Sequence, residues 1–133
     1  MLPKGKHLSK PTILIVDDEP DVITLLERTL RLEGFEVLTA YDGLAAMDIA
    51  ENDQPGLILL DIMMPMMSGY EVCEQLKANP QTKHIPIICV TSAHGQANRE
   101  NAQRAGAQAL IMKPFMTKEL IAQINRYLKP ADA

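Results

Sequence analysis

Ile13-Leu14-Ile15-Val16-Asp17-Asp18-Glu19-Pro20-Asp21 (ILIVDDEPD) changes character in a single step, from four large apolar residues to three carboxylates. The apolar half, Thr12–Val16, is short and rich in β-branched residues, which reads as a buried strand. Pro20 suits the first turn of a helix, where its missing N–H costs nothing, and Asp21 complements the positive end of that helix. Val22, Leu26 and Leu30, with Leu25 beside them, form its apolar face, and Gly34 ends it. The carboxylates between strand and helix repel one another, so the segment calls for a cation among them.

The same strand-then-helix order repeats along the chain. Phe35–Ala40 reads as a second strand and Asp42–Asn52 as a second helix. Pro55-Gly56 makes a turn before Leu57–Leu60, a buried strand ending at Asp61. Ser68-Gly69-Tyr70-Glu71 has capping-box spacing and opens a helix carrying Val72 and Leu76, closed by Asn79-Pro80. Ile85–Val90 is a fourth strand, with Pro86 near its start, where proline is tolerated. Gln96–Ala105 is helical with only alanines as apolar residues, and Gly106 caps it. Ala109–Met112 is the fifth strand, and Thr117 opens a last helix that buries Leu120, Ile121, Ile124 and Leu128. Right-handed crossovers make such a sheet parallel, and its continuously apolar strands fit a sheet covered on both faces. The fold class is therefore α/β, a doubly wound three-layer domain.

A chain of 133 residues, 47% of them hydrophobic, suits one domain with a real core. Residues 11–129 form that domain, between a flexible tail at 1–10 and a short one at 130–133. The formal net charge of −4 argues against nucleic acid as a direct partner. Lys4, Lys6, His7 and Lys10 make a short basic stretch that reads as a solvated terminus. No apolar run approaches a membrane span, and the N-terminus lacks the apolar core of a secretory signal. Cys73 and Cys89 have no metal-ligand spacing and read as small buried hydrophobes in a reducing cytosol.

In a doubly wound sheet, ligands bind beyond the carboxyl ends of the strands, near the point where strand order reverses. Asp17 and Asp18 stand at the end of the first strand, Asp61 at the third, Thr91 and Ser92 at the fourth, and Lys113 with Pro114 at the fifth. Singly, each has an ordinary reading as a cap, turn or solvated residue. Together they put three acids, a hydroxyl and an ammonium on one edge of one sheet. Mg²⁺ would relieve the acids while keeping waters for an incoming phosphate. Lys113 suits a phosphoryl group, Thr91 supplies a hydroxyl donor, and an Asp carboxylate can attack phosphorus to give an aspartyl phosphate.

With ILIVDDEP, LILLDIMMPMMSGYE, IPIICVTSAH and AGAQALIMKPF in this order and spacing, the chain resembles the receiver domains of two-component response regulators from about Pro11 to Leu128. The resemblance implies a flavodoxin-like (βα)₅ sandwich with five parallel strands in the order 2-1-3-4-5. It implies that Asp61 is the phosphoacceptor and that Asp17, Asp18, Asp61 and the backbone carbonyl of Met63 hold Mg²⁺, Asp18 directly. Thr91 would hydrogen-bond the phosphoryl group, Lys113 would pair with it, and the Lys113-Pro114 peptide would be cis. The donor would be a phosphohistidine on a sensor histidine kinase or phosphotransfer protein, and a downstream protein would read the surface of the fourth helix, fifth strand and fifth helix. Such a protein is a cytoplasmic phosphoacceptor switch that assists its own phosphorylation and dephosphorylation, not an enzyme with a separate substrate. It binds neither membrane nor nucleic acid. We expect a single-domain regulator; a fragment of a larger regulator and a phosphorylation-independent scaffold are the alternatives.

Two departures stand out. Leu110 occupies the position, three before the lysine, where the family often has an aromatic switch residue. Gln108-Ala109-Leu110 replaces the Asp-Asp-Tyr run of the DNA-binding subfamily that dimerises through its last helices, so that dimer is not expected. Met63 and Ala93, two residues after the acceptor and two after the threonine, stand where the family positions a hydrolytic water, and neither can orient one. Met63, Met64, Met66 and Met67 read as flexible filling around the site rather than a partner surface. His7, His84 and His94 read as solvated. Two other classes fit less well. A flavodoxin needs a hydroxyl-rich phosphate loop where this chain has acids, and an Asp-nucleophile phosphatase carries Asp-x-Asp where this chain has Asp61-Ile62-Met63.

Overall fold

A computed structural model describes residues 11–92 and 96–128, with the side chains of residues 96 and 97 left out of the description. The tails at 1–10 and 130–133, including Lys4, Lys6, His7 and Lys10, lie outside the described residues, as do Ala93 and His94.

Five strands alternate with five helices: β1 (Thr12–Val16), α1 (Pro20–Leu32), β2 (Glu36–Ala40), α2 (Gly43–Asp53), β3 (Leu57–Asp61), α3 (Gly69–Ala78), β4 (Ile87–Thr91), α4 (Gln96–Ala105), β5 (Ala109–Met112) and α5 (Thr117–Tyr127). All strand pairs are parallel, and the order is β2-β1-β3-β4-β5, as expected. Strand periodicity sorts the core into two layers. Leu14, Val16, Ile58, Leu60, Ile87 and Cys89 pack with Ala46 and Ala50 of α2, Val72, Cys73 and Leu76 of α3, and Ala102 and Ala105 of α4. Ile13, Ile15, Leu57, Leu59, Ile88 and Ile111 pack on the other side with Ile23, Leu26 and Leu30 of α1 and Leu120 and Ile124 of α5. Order reverses between β1 and β3, the adjacent strands followed by Asp17 and ending in Asp61 respectively.

Several boundaries and faces differ from the sequence reading for local reasons. Phe35 is buried but donates its N–H to Leu30 O, finishing the helix-ending turn at Gly34, so β2 begins at Glu36. Asp42 is the N-cap of α2, its side chain accepting from Ala45 N–H, and not its first helical residue. β4 starts at Ile87: Ile85 N–H is turned back to Thr82 O, and Pro86 offers only a carbonyl, which accepts from Ile58 N–H. The strand runs one residue further than expected, carrying Thr91 into register with Met112. On α1, Ile23 is buried while Leu25 is 65% exposed. At 100° per residue, Leu25 falls roughly 100° from the centre of the Val22–Leu26–Leu30 face and Ile23 only about 60° from it. On α5, Leu120 and Ile124 are buried, whereas Ile121 and Leu128 are only partly so.

Candidate phosphoacceptor site

The residues after each strand are held by backbone bonds that continue the sheet. Asp17 N–H donates to Ala40 O, Ile62 N–H to Val90 O, and Lys113 N–H to Thr91 O at 2.7 Å. This brings Asp17, Asp61, Thr91 and Lys113, from four strands, to one edge. By alternation, Asp17, Asp61 and Lys113 lie on the α1/α5 side of the sheet, while Thr91 and Leu110 lie on the α3/α4 side. Leu110 packs against the cluster that contains Ala102 and Ala105 of α4.

Lys113 Nζ sits 3.4 Å from Asp17 Oδ2 and 4.0 Å from Asp61 Oδ1. Asp17 and Asp61 are only 2% and 4% exposed, and Asp18 is half-buried. Asp17 Oδ1 also accepts from Glu19 N–H at 2.9 Å, so the turn into α1 is folded around the first carboxylate. Asp61 Oδ1 accepts from Met63 N–H at 3.3 Å, tying that side chain to the β3–α3 loop. Thr91 is fully buried at the end of β4, and Ser92 beside it is exposed. The Lys113-Pro114 peptide is cis, as expected.

Burial pushes the Asp61 carboxyl up to about 6, with the Asp17 carboxylate adding to the rise and Asp18 contributing last; Lys113 and the Met63 N–H pull it down. One lysine therefore does not balance the acids. The available donors are all hard oxygens: carboxylates of Asp17, Asp18 and Asp61 on adjacent strands, and the carbonyls of the loop after Asp61. That set suits Mg²⁺, not a thiolate- or imidazole-seeking metal. Carboxylate oxygens of Asp17, Asp18 and Glu19 also lie within 4.8 Å of one another. The sequence reading left Glu19 out of the site, although its contiguity with the acidic pair was visible.

In the sequence Gly69 stands only as part of a motif; the structure gives its reason. Its N–H donates to Ile62 O at 3.0 Å. A Cβ there would run into Asp61 O and lie 2.7 Å from Ile62 Cα. The first turn of α3 is thus pressed against the backbone of Asp61 and Ile62, and the expected Ser68–Glu71 capping box fixes that turn. The methionines divide. Met64 and Met67 pack against the core as filling, but Met63 is exposed and Met66 fully so. With Tyr41 and Leu44, Met64, Met66 and Met67 line an apolar groove of about 310 Å³. His84 is solvent-exposed, and Cys73 and Cys89 are buried free thiols, as expected.

A family model for the response regulator receiver domain matches residues 13–125. The response regulator PleD of Caulobacter vibrioides is 42% identical over 113 residues, which is 85% of this chain and 25% of that protein. The probable transcriptional regulator ycf27 of Cyanophora paradoxa is 40% identical over 123 residues, covering 92% of this chain and 50% of that protein. The chain thus spans from a quarter to about half the length of these curated relatives. Among solved structures, chemotaxis protein CheY4 of Vibrio cholerae superposes with a TM-score of 0.85 at 29% identity, covering 90% of this chain and all of that one. The receiver domain of sensor histidine kinase PA1611 from Pseudomonas aeruginosa, with a magnesium ion coordinated in its active site cleft, superposes with a TM-score of 0.82 at 33% identity, covering 90% and 98%. Motif order, strand order, edge geometry and these matches agree: the chain belongs to the response regulator receiver domain family.

Proposed function

We propose that this chain is a phosphoacceptor switch of two-component signalling, accepting a phosphoryl group on Asp61 from the phosphohistidine of a histidine kinase or phosphotransfer protein. The observation that carries this reading is the buried Asp61 carboxylate at the strand-order reversal, flanked by Asp17 and reached by Lys113. An Asp61 carboxylate oxygen attacks phosphorus, the P–N bond breaks, and the imidazole leaves with the electron pair and takes up a proton. Asp17, Asp18, Asp61 and the Met63 carbonyl would hold Mg²⁺, which when bound offsets the repulsion between the carboxylates and the incoming phosphoryl oxygens. Lys113 pairs with the phosphoryl group in the product, and the Thr91 hydroxyl donates to it. Phosphorylation adds about one unit of negative charge and new acceptor oxygens. The response is read by a partner protein on the surface of α4, β5 and α5.

On this reading the protein works in the cytoplasm; no helix among the described residues is long and apolar enough to cross a membrane. Buried free thiols at Cys73 and Cys89 are in keeping with a reducing compartment. Incubation with a small acyl-phosphate donor and Mg²⁺ tests the reading by intact mass. We expect one added phosphoryl group, lost on chelation of Mg²⁺ before donor addition. Equal labelling with and without Mg²⁺, or none in folded protein, rejects it.

A further inference from the structure

We propose that Tyr70 couples the phosphoacceptor to α4, serving where Leu110 cannot; this rests on Asp61 being the acceptor. α4 (QANRENAQRA) has no large apolar side chain. Among its described residues, only the small side chains of Ala102 and Ala105 are buried. Besides the packing of Ala102 and Ala105 against α3, two α3 residues one turn apart hydrogen-bond to α4. The Tyr70 hydroxyl lies 3.2 Å from Asn98 O and 3.1 Å from Asn98 Oδ1, a two-acceptor contact in the first turn of α4. Cys73 Sγ–H donates to Ala105 O at the other end of the helix, at 3.4 Å. Leu110 packs against the same layer but carries no polar atom with which to hold α4 or release it.

The link from Asp61 to Tyr70 is short and stiff. Asp61 Oδ1 holds Met63 N–H, so any group that takes over that oxygen acts on the β3–α3 loop. The loop ends at Gly69, whose N–H is bonded to Ile62 O and where an added Cβ would run into the Asp61 carbonyl. The capping box makes the first turn of α3 move as a unit, and Tyr70 is its second residue. A shift of the loop on phosphorylation is therefore carried to the tyrosine hydroxyl. There it strains or breaks a contact to a helix whose buried side chains, among the described residues, are two alanines. Low-stability elements of this kind are the ones that switch.

Tyr70→Phe removes the hydroxyl alone. Without any phosphodonor, amide hydrogen exchange in residues 100–105 should quicken by about 3- to 10-fold, the scale of one lost hydrogen bond. With donor and Mg²⁺, labelling of the variant should stay within about twofold of wild type, while the phosphorylation-dependent NMR amide shifts of residues 98–105 should fall to less than about a third. Leu110→Val, which trims the alternative position, should leave those shifts largely intact. Wild-type exchange in unphosphorylated Tyr70→Phe, or full-size shifts in the phosphorylated variant, overturns the coupling role. Loss of the shifts in Leu110→Val but not in Tyr70→Phe overturns it as well. Absence of labelling in wild type would instead reject the phosphoacceptor reading, and the donor-free exchange measurement would still decide whether Tyr70 holds α4.

Discussion

Replacing Asp61 with Asn should stabilise the metal-free protein at neutral pH. The side chain is buried beside Asp17, and the carboxyl is pushed from an ordinary 3.8 to about 6 by burial first and by Asp17 next. The gap, at about 1.36 kcal/mol per pH unit, corresponds to about 3 kcal/mol against folding once the group is ionised in both states. Between pH 3.8 and about 6 the folded state holds a proton that the unfolded chain has released. Stability from this group is therefore highest below pH 3.8 and falls as pH rises through 6. Asn cannot ionise and keeps the shape, but it gives up the attraction of Lys113, so a gain of about 1–3 kcal/mol at pH 7.5 is expected. Urea denaturation in a chelator, repeated from pH 4 to 8, reads it directly. The advantage of the variant should shrink towards zero as pH drops to 4, where wild type is protonated. Mg²⁺ should stabilise wild type more than the variant, narrowing the difference at pH 7.5. A variant less stable than wild type at pH 7.5, or an advantage independent of pH, would refute the electrostatic reasoning.

Asp18→Asn should weaken Mg²⁺ binding by about tenfold or more and slow phosphorylation in step, measured by titration and by the rate of mass gain, since even losing a group that only supports a metal ligand costs about that much. Gly69→Ala should destabilise the fold by about 1–3 kcal/mol in urea, because the new methyl meets backbone that cannot swing aside. The double variant Met63→Asn with Ala93→Glu, which supplies polar groups at the two positions the family resemblance assigns to the hydrolytic water, should speed loss of the phosphoryl group by about 3- to 30-fold, a barrier change of about 0.7–2 kcal/mol. Phosphate release after donor removal checks it, and an unchanged lifetime would exclude water placement at these positions.

The strands were legible because a parallel sheet covered on both faces leaves unbroken apolar runs, as in Leu57–Leu60 and Ile13–Val16. The acids and Lys113 were legible because each follows such a run directly. What the sequence concealed depends on distances between segments far apart in the chain. Gly69 looks like any helix-opening glycine until the Asp61 carbonyl is seen against it. Tyr70 reads only as part of the Ser68–Glu71 capping-box turn, since nothing local announces that Asn98, 28 residues on, accepts its hydroxyl. Leu25 looks buried in the sequence because it neighbours the apolar stripe of α1, yet its angle on the helix carries it off that face. Met63 and Met66 look like the core methionines beside them, but Met66 adopts a positive φ of 72° in a loop that turns it outward.

The site of phosphoryl attachment can be located chemically. Borohydride reduces an aspartyl phosphate to an alcohol with release of phosphate, leaving a permanent mark that tandem mass spectrometry assigns to one residue. Protein treated with donor and Mg²⁺ should carry the mark at Asp61 alone, and Asp61→Asn should carry none. A mark at Asp17 or Asp18 in wild type, or undiminished marking of the Asn variant, would contradict the assignment of Asp61 as the acceptor.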